Sequence, residues 1–559
     1  MKQKKTLAEH SPLIRELLEK RGITSEEEAL KFLYPEYDSD LHDPTLFVDG
    51  EKASERIWNA INEKEKIIIY ADFDCDGIPA AVILADFFRK ILYDNFEVYI
   101  PHRHNEGYGF HTAAVDTLAE GGAKLIITVD VGIGGHEAVL RAKSHGVDVI
   151  ITDHHEIEST LPDAVAIVHP ARAPYPFSGL CGSGVAFKLV QLLIIYGKAH
   201  KHVDEKTIPI GWEKWLLDMV GIATIADMVP LSGENRVLAH YGLVVLRKSA
   251  RPGIAAFCKK LRLTQRDITE DDIGFSIAPR VNAASRMDEP ELAYKLLSTS
   301  DPKEAEAIAT QLESLNRKRK GAVGAIVKEA KKRMDERGEK DGLVFVTGDP
   351  RWKPSLLGLV ANSLLDGHGG AVCIWGKDGT GALKGSCRSD GSVQVVELFK
   401  KASETLEQYG GHACAGGFEV SHDNVHTLSS AFNDAATKTD LEEVSKKEAD
   451  MELPISRVSW DLWRELAALA PFGIANPKPV FKFSNVTVED VRLFGKENNH
   501  TEVIFGDSRS QIRAFQFFVS PDVFTNPPSP GSEAHIIATV ERDTFKGREK
   551  VALRLIDVA

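Results

Sequence analysis

The chain lacks long hydrophobic runs, and none of its apolar stretches reaches the roughly 20 residues that a membrane-spanning helix needs. The first five residues are basic, but Thr6 to His10 do not form the apolar segment of a signal peptide. We therefore expect neither a membrane span nor a secretory signal.

Cysteine is scarce and scattered. The six cysteines stand at positions 75, 181, 258, 373, 387 and 414, and no two of them form a CxxC pair. This spacing argues against a zinc ribbon and against a disulfide scaffold, and it fits a reducing compartment. We expect a cytoplasmic protein.

The chain also lacks a basic surplus, because 68 Lys and Arg residues face 82 Asp and Glu residues, for a formal net charge of −14. A simple basic nucleic-acid binder is therefore disfavoured. Nucleic-acid binding is not excluded, since a cleft can be locally positive on an acidic protein. Carboxylates of an active site also add negative charge that bound cations cancel.

At 559 residues the chain is too long for one hydrophobic core, so we expect several domains. Composition and hydrophobic pattern divide it into a helical leader over 1–48, an α/β segment over 49–250, a helical region over 251–340, a second α/β segment over 341–440 and a β-rich segment over 450–559. Thr437 to Lys447 is a polar stretch that we interpret as a linker. The short alternating strands after residue 450 predict a small β-barrel, an OB-fold being one candidate.

The first α/β segment alternates apolar strands with helices, which predicts a parallel sheet. Strands are predicted at Ile67–Tyr70, Leu125–Val129, Val147–Ile151 and Ala164–Val168. Sites in such sheets lie at the carboxyl ends of the strands. We interpret the polar clusters of this segment as following strands directly.

Three carboxylates follow the first strand at alternate positions, in Asp72-Phe-Asp74-Cys-Asp76-Gly77. They repel one another, and a divalent cation such as Mg²⁺ or Mn²⁺ would remove that cost. A solvated acidic loop that caps the next helix explains this motif equally well when it is taken alone.

Further clusters favour the metal interpretation. Asp130 ends the second strand, His154 and His155 follow the third, and Asp227 ends the apolar stretch 219–226. Each has a simpler explanation as a helix cap or as surface polarity. Together they would converge on one edge of the sheet, where a bridging aspartate could hold two ions.

These motifs, in this order, resemble those of the DHH phosphoesterase family. Further matches indicate the branch of that family formed by single-stranded-DNA-specific exonucleases. They lie at 101–109, 181–187, 279–286, 385–389, 410–417 and 471–477. The resemblance implies a parallel-sheet DHH domain, a long connecting helix, a smaller α/β DHH-associated domain and a C-terminal OB-fold barrel.

The resemblance also implies roles for residues. The metal ligands would be Asp74, Asp76, Asp130, His154 and Asp227. They would bind two ions, Mn²⁺ or Mg²⁺, with Asp130 as the bridge. Asp72 would be a ligand or support one, and His155 would contact the scissile phosphate.

Substrate contacts are expected from Arg103, Arg280, Ser386, Arg388, Gly411, His412 and Gly416. The planar fork of arginine suits phosphate, and glycines let backbone approach a nucleotide closely. Ser386, Arg388 and Arg103 would bind the 5′-terminal phosphate. Alternatively the arginines bind any phosphate or pair with carboxylates, and the glycines only form turns. Asn282 and Arg286 could equally be structural.

The sequence departs from the family pattern at three places. Val131 stands where Asn is usual, the segment 352–358 replaces a glycine-containing pattern, and Ala475 stands where Gly is usual. None of these departures removes an expected metal ligand, so they bear on efficiency and not on the class of reaction.

The resemblance implies a 5′→3′ exonuclease of single-stranded DNA that acts in repair and recombination. We expect it to be a monomer, with a single-strand binding protein and a helicase as partners. One alternative is a phosphodiesterase for short oligonucleotides or cyclic dinucleotides. Another is an inactive relative that serves as a scaffold, which the full set of expected ligands disfavours.

Overall fold

The structure, a computed structural model, describes residues 4–157, 160–336, 342–436, 448–495, 498–507, 510–543 and 549–559. The chain separates into two units. The terminal unit comprises residues 1–40, 230–240 and 445–559, and the central unit comprises residues 41–229 and 241–444. The polar stretch 437–447, which we interpret as a linker, lies outside the described residues.

Two short helices, α1 (Pro12–Glu19) and α2 (Glu26–Leu33), begin the terminal unit. The side chains of Ser11 and Ser25 cap them by accepting backbone N–H groups of the first turn. Their apolar faces are buried in one core with the strands of the C-terminal barrel. The buried residues of α1 are Leu13, Ile14, Leu17 and Leu18.

The first sheet of the central unit is parallel, with strand order β2-β1-β3-β4-β5. Its elements are α3 (Gly50–Asn62), β1 (Lys66–Ala71), α4 (Gly77–Lys90), β2 (Phe96–Tyr99), α5 (Thr112–Glu120), β3 (Ala123–Val129), α6 (His136–Ser144), β4 (Asp148–Thr152) and β5 (Ala166–Val168). The inner strands are continuous apolar runs because helices cover both faces of such a sheet.

Helices follow the sheet. They are α7 (Gly182–Ala199), α8 (Leu217–Ala226), α9 (Gly233–Leu246), α10 (Pro252–Leu261), the single turn α11 (Glu270–Asp272), α12 (Ala278–Arg286), α13 (Glu291–Ser298) and α14 (Pro302–Glu336). The 35-residue α14 is the expected long connecting helix. The side chain of Asp301 accepts the N–H of Lys303 and thereby caps its start.

The second sheet is mixed, with strand order β6-β7-β8-β10-β9 and one parallel pair, β6 with β7. Its elements are β6 (Val344–Gly348), α15 (Pro354–His368), β7 (Ala371–Lys377), β8 (Leu383–Ser389), α16 (Val395–Lys401), β9 (Leu406–His412), β10 (Ala415–Val420) and α17 (Leu428–Ala435).

The C-terminal segment forms a barrel. Its elements are β11 (Met451–Glu452), α18 (Trp460–Leu466), β12 (Val480–Phe494), β13 (His500–Asp507), β14 (Ser510–Gln516), β15 (Glu533–Asp543) and β16 (Lys550–Val558). The long β12 pairs with β13 and with β15, and β16 joins β14 to β15, so five strands close on themselves.

The predicted fold class is confirmed: a parallel sheet, a long helix, a smaller α/β sheet and a barrel. The predicted domain boundaries stay predictions. The sequence analysis did not predict β2, a four-residue edge strand with one exposed and three half-exposed positions and therefore little apolar signal. Across the described part of the chain, no helix is both long and apolar enough to span a bilayer.

Candidate active site

The loop after β1 folds back on itself. One carboxylate oxygen of Asp74 accepts the backbone N–H of Asp76 at 2.7 Å and that of Gly77 at 3.2 Å. A Cβ on Gly77 would lie 2.4 Å from the carbonyl oxygen of Asp72, so only glycine fits there. The chain thereby turns directly from β1 into α4 and holds the three carboxylates together.

Asp76 directly precedes α4 in the chain, and its carboxylate contacts the start of α7. Its two carboxylate oxygens accept the backbone N–H groups of Gly182 at 2.6 Å and Ser183 at 2.7 Å. The unpaired N–H groups of a helix start carry partial positive charge and favour an anion. This contact fixes the orientation of the buried Asp76 side chain.

Asp130 follows β3 with a left-handed backbone, φ +62°. Its N–H donates to the carbonyl of Thr152, and a Cβ on Gly182 would lie 2.5 Å from its side chain. Burial, and next the negative charges of Asp76 and Asp74, raise the pKa of Asp130 well above its ordinary value. Protonation of Asp130 to its neutral form, or a bound cation, would relieve this repulsion.

The two histidines after β4 have different surroundings. His154 Nε2 lies 3.2 Å from Asp130 Oδ1, 3.7 Å from Asp76 Oδ2 and 3.8 Å from Asp227 Oδ2. His155 Nδ1 is instead 2.7 Å from a carboxylate oxygen of Asp153. The Nε2 atom of His154 therefore faces the carboxylates, whereas the orientation of the His155 ring is fixed by Asp153.

Asp153 is a buried residue of the candidate site that the sequence analysis did not single out. It is fully buried and accepts the backbone N–H groups of Ile133, His154 and His155 as well as the His155 ring. Burial lowers the pKa of His155, but the hydrogen bond to Asp153 and the negative charges of Asp153, Asp72 and Asp227 together outweigh it and raise that pKa to about 9. Asp153 thus orients His155 through its Nδ1 atom.

Asp227 corrects the expectation that the polar clusters all follow strands, because it ends the helix α8. The apolar stretch before it is buried within the central unit on every side of the helix, which hides the helical period. Burial, and next Asp76 and Asp74, raise the pKa of Asp227 to about 9.

These side chains form groups in which one ligand atom per residue lies within 4.8 Å of the others. The groups are Asp72, Asp74 and Asp130; Asp76, His154 and Asp227; and Asp130, His154 and His155. All five predicted metal ligands are thus brought together, with Asp72 and His155 beside them.

The chemistry of this donor set fits a hard divalent cation. Among the described residues, one buried oxygen of Asp72 and one of Asp130 have no hydrogen-bond partner. Burial, and next the charge of Asp74, raise the pKa of Asp72 well above its ordinary value. Orphaned, mutually repelling carboxylate oxygens beside an imidazole are what Mn²⁺ or Mg²⁺ would satisfy.

Arginines gather beside the carboxylates. Burial, and next the charges of Arg103 and Arg319, lower the pKa of Arg286 to about 9, and Arg388 contributes as well. The Arg103 guanidinium lies 4.5 Å from the ring centre of Phe73 and interacts with the charges of Asp72 and Asp74. An anion such as phosphate would relieve this repulsion between the guanidinium groups.

Arg388 and Ser386 lie on β8. Arg388 donates to the Ser386 hydroxyl at 2.8 Å. A Cβ on Gly358 of α15 would lie 2.6 Å from the Arg388 guanidinium, so the glycine gives that side chain its room. The fork and the hydroxyl are therefore presented together, as their proposed phosphate role requires.

Three segments of the chain match the models of known protein domains. Residues 66–224 match the DHH family, N-terminal domain, residues 340–438 match the DHHA1 domain, and residues 449–557 match the RecJ OB domain. The single-stranded-DNA-specific exonuclease RecJ of Bacillus subtilis is 35% identical over 98% of this chain and 68% of its own length. The Escherichia coli protein of that name is 31% identical over 85% of this chain and 83% of its own.

The chain belongs to the RecJ family.

The crystal structure of RecJ in complex with Mn²⁺ from Thermus thermophilus has the same architecture. It superposes with a TM-score of 0.79 at 25% identity, covering 99% of this chain and 76% of that one. The similarity extends over all parts of the fold described above.

Within this RecJ-family chain, Arg280 is already bonded. Its guanidinium donates to Glu313 at 2.7 Å and to the carbonyl of Ser276 at 2.7 Å. The contact with Glu313 links α12 to α14. A contact with substrate stays a prediction for Arg280.

In the glycine-rich hairpin of β9 and β10, close packing requires glycine at two positions. Gly411 and Gly416 are register partners, and a Cβ on Gly411 would lie 2.4 Å from the Gly416 Cα. A Cβ on Gly416 would lie 2.6 Å from the Phe399 ring. His412 is exposed at the end of β9. The substrate contacts of these three residues stay predictions.

Tyr108 is a further residue that the sequence analysis did not assign. Its hydroxyl lies 3.1 Å from His155 Nδ1, and 51% of the residue is exposed. It stands in the motif Glu106-Gly-Tyr-Gly109, whose glycines both have positive φ. The signal in the sequence was a tyrosine flanked on both sides by glycine.

The departures from the family pattern have local explanations. Val131 is buried in an apolar cluster of the first sheet, so its side chain serves packing. Trp352 is buried against the second sheet and lies under the Arg333 guanidinium, 4.9 Å from it. Ala475 has φ +62°, a left-handed backbone that explains why glycine is usual there.

Proposed function

We propose that this chain is a metal-dependent exonuclease that hydrolyses phosphodiester bonds of single-stranded DNA in the 5′→3′ direction. The observation that carries the proposal is the buried cluster of carboxylates with orphaned oxygens, which lies beside mutually repelling arginines. The names of the relatives support the substrate class.

Two ions would be held by two groups of side chains: Asp72, Asp74 and Asp130, and Asp76, His154 and Asp227. Asp130 is suited to bridge them, because it belongs to the first group and lies 3.2 Å from His154 of the second. When bound, such ions activate a water molecule and neutralise charge on the phosphoryl oxygens.

His155 would bind the scissile phosphate. Asp153 engages its Nδ1 atom, which leaves Nε2 to donate a hydrogen bond to a phosphoryl oxygen. Because a buried carboxylate fixes the orientation of the His155 ring, the ring does not have to reorient when charge develops on that oxygen.

The 5′-terminal phosphate would be bound by Arg388 and Ser386, with Arg103 as a second fork. A terminal phosphate carries more charge than an internal phosphodiester, so an arginine cluster prefers it. When that end is fixed at a set distance from the carboxylates, the phosphodiester bond near the 5′ end lies at the cluster. Successive cleavage would then release nucleotides from the 5′ side.

The barrel favours long strands over dinucleotides as substrates, since OB-folds bind single strands through stacking and backbone contacts. A helicase would supply such strands from duplex DNA during repair and recombination, and a single-strand binding protein would coat them.

End-labelled single-stranded, double-stranded and dinucleotide substrates, each with Mn²⁺, Mg²⁺ or EDTA, test the proposal. We expect hydrolysis of single strands only, no activity in EDTA, and near-complete loss in Asp130→Ala. Asp163→Ala is the control, because that exposed carboxylate pairs with Lys143 at the surface of the central unit and should be dispensable for activity. Hydrolysis in EDTA would exclude the metal mechanism, and a preference for dinucleotides would favour the small-substrate alternative.

A further inference from the structure

The helices α4 and α8 each carry a predicted metal ligand at one end. Asp76 stands just before α4, and Asp227 stands just after α8. Together with His154 these two carboxylates form one of the ligand groups described above. The two helices therefore have to keep a fixed spacing at this end if one ion is to bind both carboxylates.

A buried arginine joins the same two helices at their opposite ends. The Arg251 guanidinium donates to Asp218, at the start of α8, at 2.7 Å and to Asp86, near the end of α4, also at 2.7 Å. The side chains of Arg251, Asp218 and Asp86 are 17%, 3% and 20% exposed. We call these three residues the arginine clamp.

The arginine clamp and the predicted ligands are separated by similar lengths of helix. Asp86 comes ten residues after Asp76, and Asp218 comes nine residues before Asp227. The rise of an α-helix converts these separations into about 15 Å and about 14 Å. Between the two ends α4 packs against α8. The two helices are thus joined by the arginine clamp at one end and share the predicted ion at the other.

The arginine clamp is held in place by its own contacts. The Ser249 hydroxyl donates to the same Asp218 oxygen as Arg251, at 2.7 Å, and the Gln265 side chain donates to the carbonyl of Ser249. Burial lowers the pKa of Arg251, but the charges of Asp218 and Asp86 outweigh it and raise that pKa above its ordinary value. The guanidinium therefore stays charged between two carboxylates.

Loss of that charge would act on both helices. The carboxylates of Asp86 and Asp218 would face each other without the cation between them, and their repulsion would push these ends of α4 and α8 apart. Because packed helices move as rigid elements, the displacement would reach the ligand ends as well. Asp76 and Asp227 would then no longer be held at the spacing that one ion requires.

We propose that Arg251 is a positioning residue for metal binding, which sets the spacing between Asp76 and Asp227 by joining the far ends of α4 and α8. The proposal rests on the proposed function for the presence of two ions. The other ligand group has no member next to α8, so the arginine clamp should act on one ion and not on the other. That second group comprises Asp72, Asp74 and Asp130.

Calorimetric titration with Mn²⁺, without any substrate, tests the proposal in Arg251→Lys. A compact ammonium group cannot engage both carboxylates as the planar fork of arginine does. The Kd of one ion should rise about tenfold, a size that coupling through packed elements reaches, while the Kd of the other ion stays unchanged. Unchanged Kd values for both ions, or an equal rise in both, would overturn the proposal.

Chemical rescue separates positioning from a loss of stability. A cavity of about 740 Å³ is lined by Arg251, Asp86 and Asp218, so the space vacated in Arg251→Ala is open to small solutes. Guanidinium chloride, at a concentration that leaves the fold intact, should restore the Mn²⁺ affinity of Arg251→Ala. Urea with matched sodium chloride should not, because urea has a similar shape but no charge. A folded Arg251→Ala protein without rescue would overturn the proposal, and if this variant does not fold, Arg251→Lys decides.

Arg141→Ala is the matched control. Arg141 of α6 donates to both carboxylate oxygens of Asp116 of α5, at 2.5 Å and 3.0 Å, and so joins two helices that carry no predicted ligand. Its loss should leave both Kd values for Mn²⁺ unchanged. Weaker Mn²⁺ binding in this variant would show that any lost ion pair has the same effect, which would also overturn the proposal.

The outcomes for the arginine clamp and for the proposed function are distinct. A wild-type protein that binds no Mn²⁺ would overturn both. Mn²⁺ binding and strand hydrolysis by the wild type, with unchanged Kd values in the Arg251 variants, would overturn the arginine clamp alone. Selective loss of one ion in Arg251→Lys, in a protein that does not hydrolyse single strands, would leave the arginine clamp and overturn the proposed function.

Discussion

Replacing Gly182 by alanine places a methyl group inside the carboxylate cluster. The added Cβ would lie 2.5 Å from both the Cβ and a carboxylate oxygen of Asp130. Asp130 cannot easily withdraw, because its N–H is bonded to Thr152 and its backbone is already left-handed. The same helix start also donates to Asp76, so movement of α7 would shift a second predicted ligand.

The size of the effect follows from the contact distance. Carbon atoms in van der Waals contact lie about 3.5–4.0 Å apart, so Asp130 or α7 must move by roughly 1 Å. A misplacement of about 1 Å at a catalytic group costs on the order of a hundredfold in rate, which is about 2.7 kcal/mol in the barrier. We therefore expect kcat of Gly182→Ala to fall about a hundredfold.

The assay is single-turnover hydrolysis of a 5′-phosphorylated strand at saturating Mn²⁺, with Gly184→Ala as the matched control. Gly184 lies in the same helical turn, but its added Cβ would make only ordinary contacts, the shortest 3.5 Å to Leu180. The control should keep wild-type activity and gain up to about 1 kcal/mol in stability from helix propensity. A Gly182→Ala protein within threefold of the wild-type rate would refute the reasoning.

Three further outcomes are expected. Arg388→Ala should reduce the kcat/KM preference for 5′-phosphate over 5′-hydroxyl ends by about 1.5–3 kcal/mol, the value of a charge-assisted hydrogen bond; an unchanged ratio in both Arg388→Ala and Arg103→Ala would eliminate the end-binding role. Mn²⁺ at a hundred times its Kd should stabilise the folded protein by about 2.7 kcal/mol in thermal melts. Asp76→Ala should lack this stabilisation, and a retained shift would contradict the ligand assignment. Ala475→Gly should raise the melting temperature of the terminal unit, because relief of left-handed strain contributes on the order of 1 kcal/mol and the exposed methyl group packs little. A lower melting temperature would count against that strain.

The core of the site could be predicted from sequence because its residues follow local rules. Asp72, Asp130 and His154 each come directly after a short apolar strand or within two residues of its end, and parallel strands end at one edge of their sheet. The position of each side chain is thus a consequence of its neighbours in the chain.

The remaining parts depend on contacts between distant segments. Arg286 interacts with Arg103, Arg319 and Arg388, which lie in three other segments of the chain. No local sequence pattern predicts that these arginines lie close together. Asp227 ends a helix that is apolar on all sides, so its period carries no signal. Asp153 stands directly before His154 and His155 in the sequence, and its role depends on contacts with the backbone of Ile133 and with the His155 ring.

The leader shows the same limit. Its boundary near residue 48 suggested a separate segment, but Leu13 and Leu17 share a core with Phe481 and Leu555 of the barrel. A deletion of the barrel would therefore expose the apolar faces of α1 and α2 as well, and its effects could not be assigned to the barrel alone.

That shared core also has a consequence for how the protein is made. Residues 12–33 leave the ribosome long before their partners, such as Leu553 and Leu555 of β16. At roughly 5–20 residues per second, synthesis of the intervening chain takes on the order of 25–100 s. During that time the apolar faces of α1 and α2 have no native partner. The apolar faces of α1 and α2 would therefore offer a chaperone an early binding site on the nascent chain, and completion of the barrel would time the release.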